Sequence, residues 1–420
     1  MKYIVWVWLF ATTQLYAQDS TLLTLEQCQQ LAREHYPLLR QKQVLDSILK
    51  LQVKNTNTAY LPQAELNGQA TYQSAVTEFP FKVPGVNIPE FSKDQYRATI
   101  DVKQLLYDGG ATRQQRELQT IQQQTEQQKV EVELYKVKQQ VTQAYFNALL
   151  AAEYIQAARL TQQDLQQRID RLNAGVQNGT VLPSNVDMLK AEQLRASQQE
   201  ISADASRSAN LAVIQLLTGY ETTGAIKLSL PTVAGVTSTD TLNRPELQLY
   251  QLQSAALNQQ ARLTATKPLP RISAFVQGGY GRPGLNMLKN DFAAFYLGGI
   301  RLNWTLWNWR YNRTEQNILR LQQQNINQQT ETFTLNTRVQ LAQQQTEIGR
   351  LQQTLEKDND ILTLRARVKD ASAAQLDNGV ITVHDYIIDL NAVMQARVDQ
   401  STHQVQLALA HINYQLIKGY

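Results

Sequence analysis

The sequence predicts a mainly α-helical chain whose few β-strands belong to a membrane barrel, all built from one unit present twice. Three observations carry this reading. Residue identities recur along the chain at a fixed offset. Four segments of about ten residues alternate apolar and polar side chains and are edged by aromatics, the pattern of tilted membrane strands. Two proline-free stretches of coiled-coil periodicity are far longer than the helices of ordinary globular domains.

The repeat is visible by eye. At a shift of 208, Pro37, Leu61, Pro62 and Tyr72 fall on Pro245, Leu269, Pro270 and Tyr280. At a shift of 200, Tyr96, Ile100, Leu106, Asn178, Gly179, Gly219 and Tyr220 fall on Tyr296, Ile300, Leu306, Asn378, Gly379, Gly419 and Tyr420. The change of eight is confined to one loop, residues 73–95 in the first copy and 281–295 in the second. A length difference in one loop, with register kept around it, is the signature of duplication. The boundaries read as a signal at 1–17, a first repeat over 18–220, a linker over 221–242 and a second repeat over 243–420.

At the start, Lys2, the apolar stretch Ile4 to Ala11 and Leu15-Tyr16-Ala17 before Gln18 form a secretory signal. Its removal takes one cation from a formal charge of +4. Cys28 is the single cysteine, so no intrachain disulfide forms, and its place in a helical pattern reads as a buried small residue. Beyond residue 17 no run approaches the roughly 20 apolar residues of a membrane helix. Any membrane segment of the mature chain must therefore be β.

Each repeat reads helix, strand, loop, strand, very long helix, turn, helix. In 63–73, Ala64, Leu66, Gly68, Ala70 and Tyr72 share one face, and Gln63, Glu65, Asn67, Gln69, Thr71 and Gln73 the other. In 96–106, Tyr96, Ala98, Ile100, Val102 and Leu106 oppose Arg97, Thr99, Asp101 and Lys103. Strand 271–280 gathers Ile272, Ala274, Val276 and Tyr280, and strand 296–306 gathers Tyr296, Gly298, Ile300, Leu302, Trp304 and Leu306. The apolar faces are expected to meet lipid, whereas arginine at Asn67 or Thr99 should be tolerated on the watery side. Tyr72, Tyr96, Tyr280 and Tyr296 border the loops; Tyr107, Trp304, Trp307 and Trp309 border the long helices. These are the positions of two aromatic girdles, with outer-membrane lipid as the partner. The loop VTEFPFKVPGVNIPEFSKD, rich in proline and phenylalanine, is expected to be an ordered cap outside the membrane.

From Ala111 to Gln177 the chain has no proline. At ~1.5 Å per residue such a helix is about 100 Å long. Val130, Leu134, Val137, Val141, Ala144, Ala148, Ala151, Ile155 and Ala158 keep spacings of three and four, and after Gln162 the stripe resumes at Leu165, Ile169, Leu172 and Val176. Such a heptad specifies coiled-coil packing. The second long helix, about 310–377, is less regular, with Leu341, Ile348, Leu355 and Leu362 on its stripe. Helices over 184–218 and 243–266 would lie beside the long pair, the linker forming a belt at their junction. Asn178-Gly179 and Asn378-Gly379 end the long helices, because glycine takes the left-handed conformation that follows a last helical turn.

Four strands cannot close a membrane barrel, and open edges are not tolerated in lipid. Eight would leave an interior filled by side chains, so a trimer with twelve is the smallest assembly with a passage. At this point the residues resemble the TolC family of outer-membrane efflux proteins. The resemblance rests on the duplicated unit, the strand openings LPQAELNGQATY and LPRISAFVQGGY, the strand exit QLLYDGG and the two NG turns, in order and spacing. It implies a homotrimer with a twelve-stranded β-barrel, a periplasmic α-barrel, and docking to a periplasmic adaptor protein and an inner-membrane pump. Drugs, other small molecules, metal ions or secreted polypeptides are the implied cargo. It also implies that the turns form the entrance. Asp385 then matches an entrance aspartate, and His384 stands beside it. Asn185 and Ser184 stand where the family has aspartate and threonine, Ile381 where it has arginine, and Ile388 where it has a second aspartate. The family's tyrosine–arginine–aspartate ties are thus expected to be depleted, leaving closure to apolar contacts.

Other functions find little footing. The basic residues form no patch, so no nucleic-acid partner is expected. Gly279-Tyr280-Gly281-Arg282-Pro283-Gly284 matches a dinucleotide pattern literally, but lacks the following helix. His35, His384, His403 and His411 are scattered, with no metal-ligand spacing. No nucleophile–base–orienter set is visible, and neither an enzyme nor a cofactor is expected. The alternative is a periplasmic coiled-coil adaptor, which would lack alternating strands flanked by aromatics.

Overall fold

The computed structural model describes residues 22–76, 92–220, 226–231, 241–287 and 289–420. The signal, the centre of the first loop and most of the linker lie outside the described residues. In chain order the first half holds β1 (Leu22–Leu23), α1 (Leu25–His35), α2 (Gln41–Asn57), β2 (Gln63–Tyr72), β3 (Asp94–Tyr107), α3 (Ala111–Gln177) and α4 (Pro183–Thr218). After β4 (Lys227–Leu228), the second half holds α5 (Pro245–Thr266), β5 (Arg271–Arg282), β6 (Ala293–Asn303), α6 (Tyr311–Asp377) and α7 (Val383–Lys418). The mainly α, duplicated fold with four long strands is as the sequence indicates. The chain divides into two units, and α3 and α6 each contribute a segment to both.

The strand-bearing unit comprises Arg40–Val130 and Glu246–Thr334. Its sheet is antiparallel throughout, in the order β2-β3-β5-β6. The register stacks like with like: Leu66 lies opposite Ile100, Ile100 opposite Gly278, and Gly278 opposite Tyr296. The helices here touch through polar side chains, which is where the many glutamines go. Gln123 and Gln127 donate to Asp46, and Gln259 donates to the Gln114 side chain at 2.7 Å. The last strand is shorter than the alternation suggests. It ends at Asn303, so Trp304 and Leu306 lie beyond it. Trp309 and Arg310 then take φ of 51° and 61° to turn the chain into α6.

The helical unit comprises Met1–Leu39, Glu131–Pro245 and Leu335–Tyr420. The heptad positions of α3 from Val130 to Ala158, and Leu165 and Ile169 beyond them, are all buried. On α6 only Ile348 of the four expected stripe residues is fully buried, consistent with its polar intruders. A core around Cys28, Val141, Tyr145, Phe146 and Ile214 gathers α1, α3, α4 and α7. Burial pushes the Cys28 thiol up to about 12, keeping it protonated and inert.

Two features go beyond the expected outline. The first helix breaks at Tyr36, whose extended backbone precedes Pro37, because proline crowds the residue before it out of the α region. The linker contains β4, which pairs in parallel with β1. The pair is pinned by Tyr145, whose hydroxyl shares its one proton between the carbonyls of Leu23 and Ser229 at 3.0 and 2.7 Å and accepts from the Ser229 N–H at 3.1 Å. A two-residue strand leaves no periodicity to read.

Candidate functional site: the sheet, its corners and the helical tip

The apolar face of the sheet has no cover in the single chain. Leu66, Ile100, Val276, Ile300 and Leu302 are all exposed, and Tyr296 is 83% exposed. A contiguous apolar face of this kind marks contact with lipid or a partner. Tyr72, Tyr96 and Tyr280 at one end, and Tyr107, Trp304 and Trp307 at the other, are likewise exposed. β2 and β6 each pair on one side only among the described residues, leaving two free edges.

The opposite face is knit by hydrogen bonds. Asp101 accepts from the Asn67 amide at 2.6 Å, from the Thr99 hydroxyl at 3.0 Å and from Gln277. Arg301 lies 4.7 Å over the Phe275 ring, and Arg97 5.7 Å over Phe295. Thr99 is only 4% exposed. The expectation that arginine is tolerated there is therefore corrected: alternation assigned the right face, but Thr99 is covered by its neighbours.

At the corner after β3, the Asp108 side chain caps the start of α3 from two residues before the N-cap position Gly110, a role that sequence reasoning passed over. Its carboxylate accepts from the Gly110 N–H at 2.8 Å, the Thr112 N–H at 2.7 Å and the Tyr60 hydroxyl at 2.9 Å. Burial pushes its pKa up, but these hydrogen bonds outweigh it and hold the carboxyl below the ordinary aspartate value. An aspartate directly before a glycine pair and a helical run was the available signal.

Both expected turns form, and with one geometry. The Gly179 N–H donates to Val176 O at 3.0 Å and the Thr180 N–H to Gly175 O at 2.9 Å. In the second repeat, Gly379 donates to Leu376 O at 3.0 Å and Val380 to Gln375 O at 2.9 Å. Each is a Schellman closure with glycine at positive φ, 73° and 70°. Asn178, Gly179, Ser184, Asn378, Gly379, His384 and Asp385 are exposed, and Asn185 is half-buried. Val186, Leu189, Val383, Tyr386 and Leu390 point into a core with Leu165 and Ile169.

Asp385 forms a capping box with Thr382: its carboxylate accepts from the Thr382 hydroxyl at 2.6 Å and the Thr382 N–H at 3.1 Å. These bonds hold its pKa below the ordinary value. The Thr-x-x-Asp spacing signals such a box. Polar ties do form between the helices at this end, at positions other than Ser184, Asn185, Ile381 and Ile388. Arg168 on α3 grips Asp377 at the end of α6 with bonds of 2.8 and 2.9 Å, and Arg171 adds a third contact at 2.9 Å. The Tyr386 hydroxyl donates to Asp164 at 3.2 Å, Lys369 sits 3.4 Å from the same carboxylate, and Arg168 lies 5.3 Å over the Tyr386 ring. Burial, reinforced by Asp164, raises the Tyr386 phenol to about 12. Partners some 200 residues apart carry no local signal.

The glycine pattern at 279–284 begins in β5 paired with β3. Among the described residues no group of His, Cys, Asp and Glu is arranged to hold a metal, and no helix is long and apolar enough to cross a membrane.

Against known proteins, the family model described as outer membrane efflux protein matches residues 10–220. No match is found among curated proteins. Among solved structures, the chain is similar to the outer membrane protein VceC of Vibrio cholerae, at TM-score 0.68 and 14% identity over 93% of this chain and 95% of that one. The Campylobacter jejuni outer membrane channel CmeC gives 0.65 and 13% over 94% and 86%. The open state of the Neisseria gonorrhoeae outer membrane channel MtrE gives 0.67 and 15% over 94% and 89%. An exposed apolar sheet face, long paired helices and this match agree, and favour this family over the adaptor alternative: the chain belongs to the outer membrane efflux protein family and is an efflux protein of the outer membrane.

Proposed function

We propose that three copies of this chain close a twelve-stranded barrel and act as the passive outer duct of a tripartite efflux or type I secretion system. The duct would receive small molecules or exported polypeptides from a periplasmic adaptor and an inner-membrane pump. The observation that carries this is the pair of free edges on β2 and β6 beside an exposed apolar face. Backbone groups at an edge cost several kcal/mol each in hydrocarbon, so the edges must pair with each other on neighbouring copies.

The turns 178–183 and 378–383 form the periplasmic entrance in this reading. Ties from Arg168 and Asp164 on α3 to Asp377, Lys369 and Tyr386 hold its helices together. The exposed, ionised Asp385 of each copy would supply a ring that attracts cations. The test is conductance of the purified protein in planar bilayers. Asp377→Ala should raise the open fraction, and Asp385→Ala should weaken block by divalent cations. Gly179 or Gly379 changed to a bulky residue should impair export without impairing assembly. Unchanged conductance and block, together with normal export in the glycine variants, would remove the tip from the mechanism.

A further inference from the structure

We propose that the strand-to-helix corner of the second repeat docks the headgroups of anionic phospholipid at the inner surface of the outer membrane. The inference rests on the membrane-duct reading and adds to it a lipid class and a place.

Trp304, Trp307, Trp309 and Tyr311 are all exposed here, Trp309 at 85%. Trp304 is fixed by its indole N–H, which donates to Pro268 O at 3.1 Å, and Trp307 meets Trp309 edge-on at 5.8 Å. Indoles with an apolar body and a polar edge suit the headgroup level of a bilayer. The patch continues the exposed apolar face of β6, where Ile300 and Leu302 lie. Flanking it in sequence are Arg262, Lys267, Arg310 and Arg313, all exposed; no Asp or Glu occurs in 262–270 or 304–314, and Glu315 follows directly. None of the four cations forms an ion pair among the described residues. Lys267 lies 5.9 Å over the Tyr311 ring.

The first repeat serves as an internal control. Gln104, Tyr107, Gly109 and Ala111 stand where the second has Trp304, Trp307, Trp309 and Tyr311. Its flanking segments hold Lys54 and Arg113 with the buried Asp108, and Arg113 is paired with Glu117 at 3.1 Å. At the position matching Glu117, the second repeat has Asn317. Over 54–62 and 104–117 the first copy sets Lys54, Arg113 and Arg116 against Asp108 and Glu117, whereas over 262–270 and 304–317 the second sets Arg262, Lys267, Arg310 and Arg313 against Glu315 alone. Aromatics alone would serve a zwitterionic bilayer; unpaired cations beside them complement a net negative headgroup, whose phosphate accepts from guanidinium and ammonium groups.

Trp304, Trp307 and Trp309 are the only tryptophans beyond residue 17. Native fluorescence of the mature protein therefore reads this corner alone. The intact oligomer is reconstituted in phosphatidylcholine vesicles containing phosphatidylglycerol, with one lipid or the other brominated near the headgroup. At equal mole fraction, brominated phosphatidylglycerol should quench about twofold more than brominated phosphatidylcholine, and high salt should erode the difference. Lys267→Gln/Arg310→Gln/Arg313→Gln should abolish the preference, and Arg310→Gly alone, which also relieves the positive φ, should weaken it. Lys54→Gln/Arg113→Gln in the first repeat should leave it intact. Equal quenching by both lipids in the native protein, or a preference that survives the triple variant, overturns the proposal. Quenching by neither lipid would instead contradict the membrane-duct reading beneath it.

Discussion

The two corners where strand becomes long helix share one backbone and almost nothing else. After β3 the chain runs Tyr107-Asp108-Gly109-Gly110, with both glycines at positive φ, 70° and 84°. After β6 it runs Trp307-Asn308-Trp309-Arg310, with Trp309 and Arg310 in the same left-handed region. The hydrogen bonds match: Gln114 donates to Gly110 O at 3.0 Å, and Thr314 to Arg310 O at 3.0 Å. The fold therefore dictates the turn. Glycine meets it without strain, whereas a side chain there costs roughly 1–2 kcal/mol per residue. Tryptophan and arginine there carry that cost, which the proposed lipid contact would offset.

The comparison breaks most sharply if the two corners respond alike to exchange. Gly109→Val should destabilise by about 3 kcal/mol, from the left-handed backbone plus overpacking. A Cβ there would sit 2.6 Å from that of Leu269. Trp309→Gly should stabilise the detergent-solubilised protein by ~1 kcal/mol. Thermal unfolding of the two variants measures both, and the same sign in each would dissolve the distinction.

Asp108 sharpens the contrast next. Asp108→Ala leaves two backbone N–H groups and the Tyr60 hydroxyl without their acceptor and should cost about 2–3 kcal/mol, with Asn308→Ala costing less. Because the folded pKa of Asp108 is depressed, its contribution is full above the ordinary aspartate value and is lost as pH falls through the folded value. Asp108→Asn should therefore flatten part of the acid limb of stability against pH.

The smallest effects lie at the tip, where the returning helices start differently. α7 has the Thr382–Asp385 box, while α4 has Leu182 at its N-cap with no side-chain cap and Pro183 as its first residue. Thr382→Ala should cost ~1 kcal/mol and Leu182→Thr should gain roughly 0.5 kcal/mol, read as unfolding midpoints.

Much of this was legible because the signals are long or local. The heptad of α3 runs over many turns, and each of its positions from Val130 to Ala158 is buried. Alternation set the two faces of the sheet, and the NG pairs set the turns. What escaped was short or distant. β4 has two residues and is held by Tyr145 from another element. The cover over Thr99 and the grip of Arg168 on Asp377 depend on partners that only the folded chain brings together.

The central claim is that the free edges of β2 and β6 pair between copies, and the duplication dictates the register. Within the chain Ile100 lies opposite Gly278 and Val102 opposite Val276. Carrying these pairs across the repeat places Ile300 opposite Ala70 of the next copy and Leu302 opposite Gly68. In a Cys28→Ala background, Ala70→Cys/Ile300→Cys should therefore oxidise to a covalent ladder on denaturing gels that stops at three chains. Leu66→Cys/Ile300→Cys, four residues out of register, should remain monomeric. A ladder ending at another number, or equal cross-linking by both pairs, would contradict the twelve-stranded barrel.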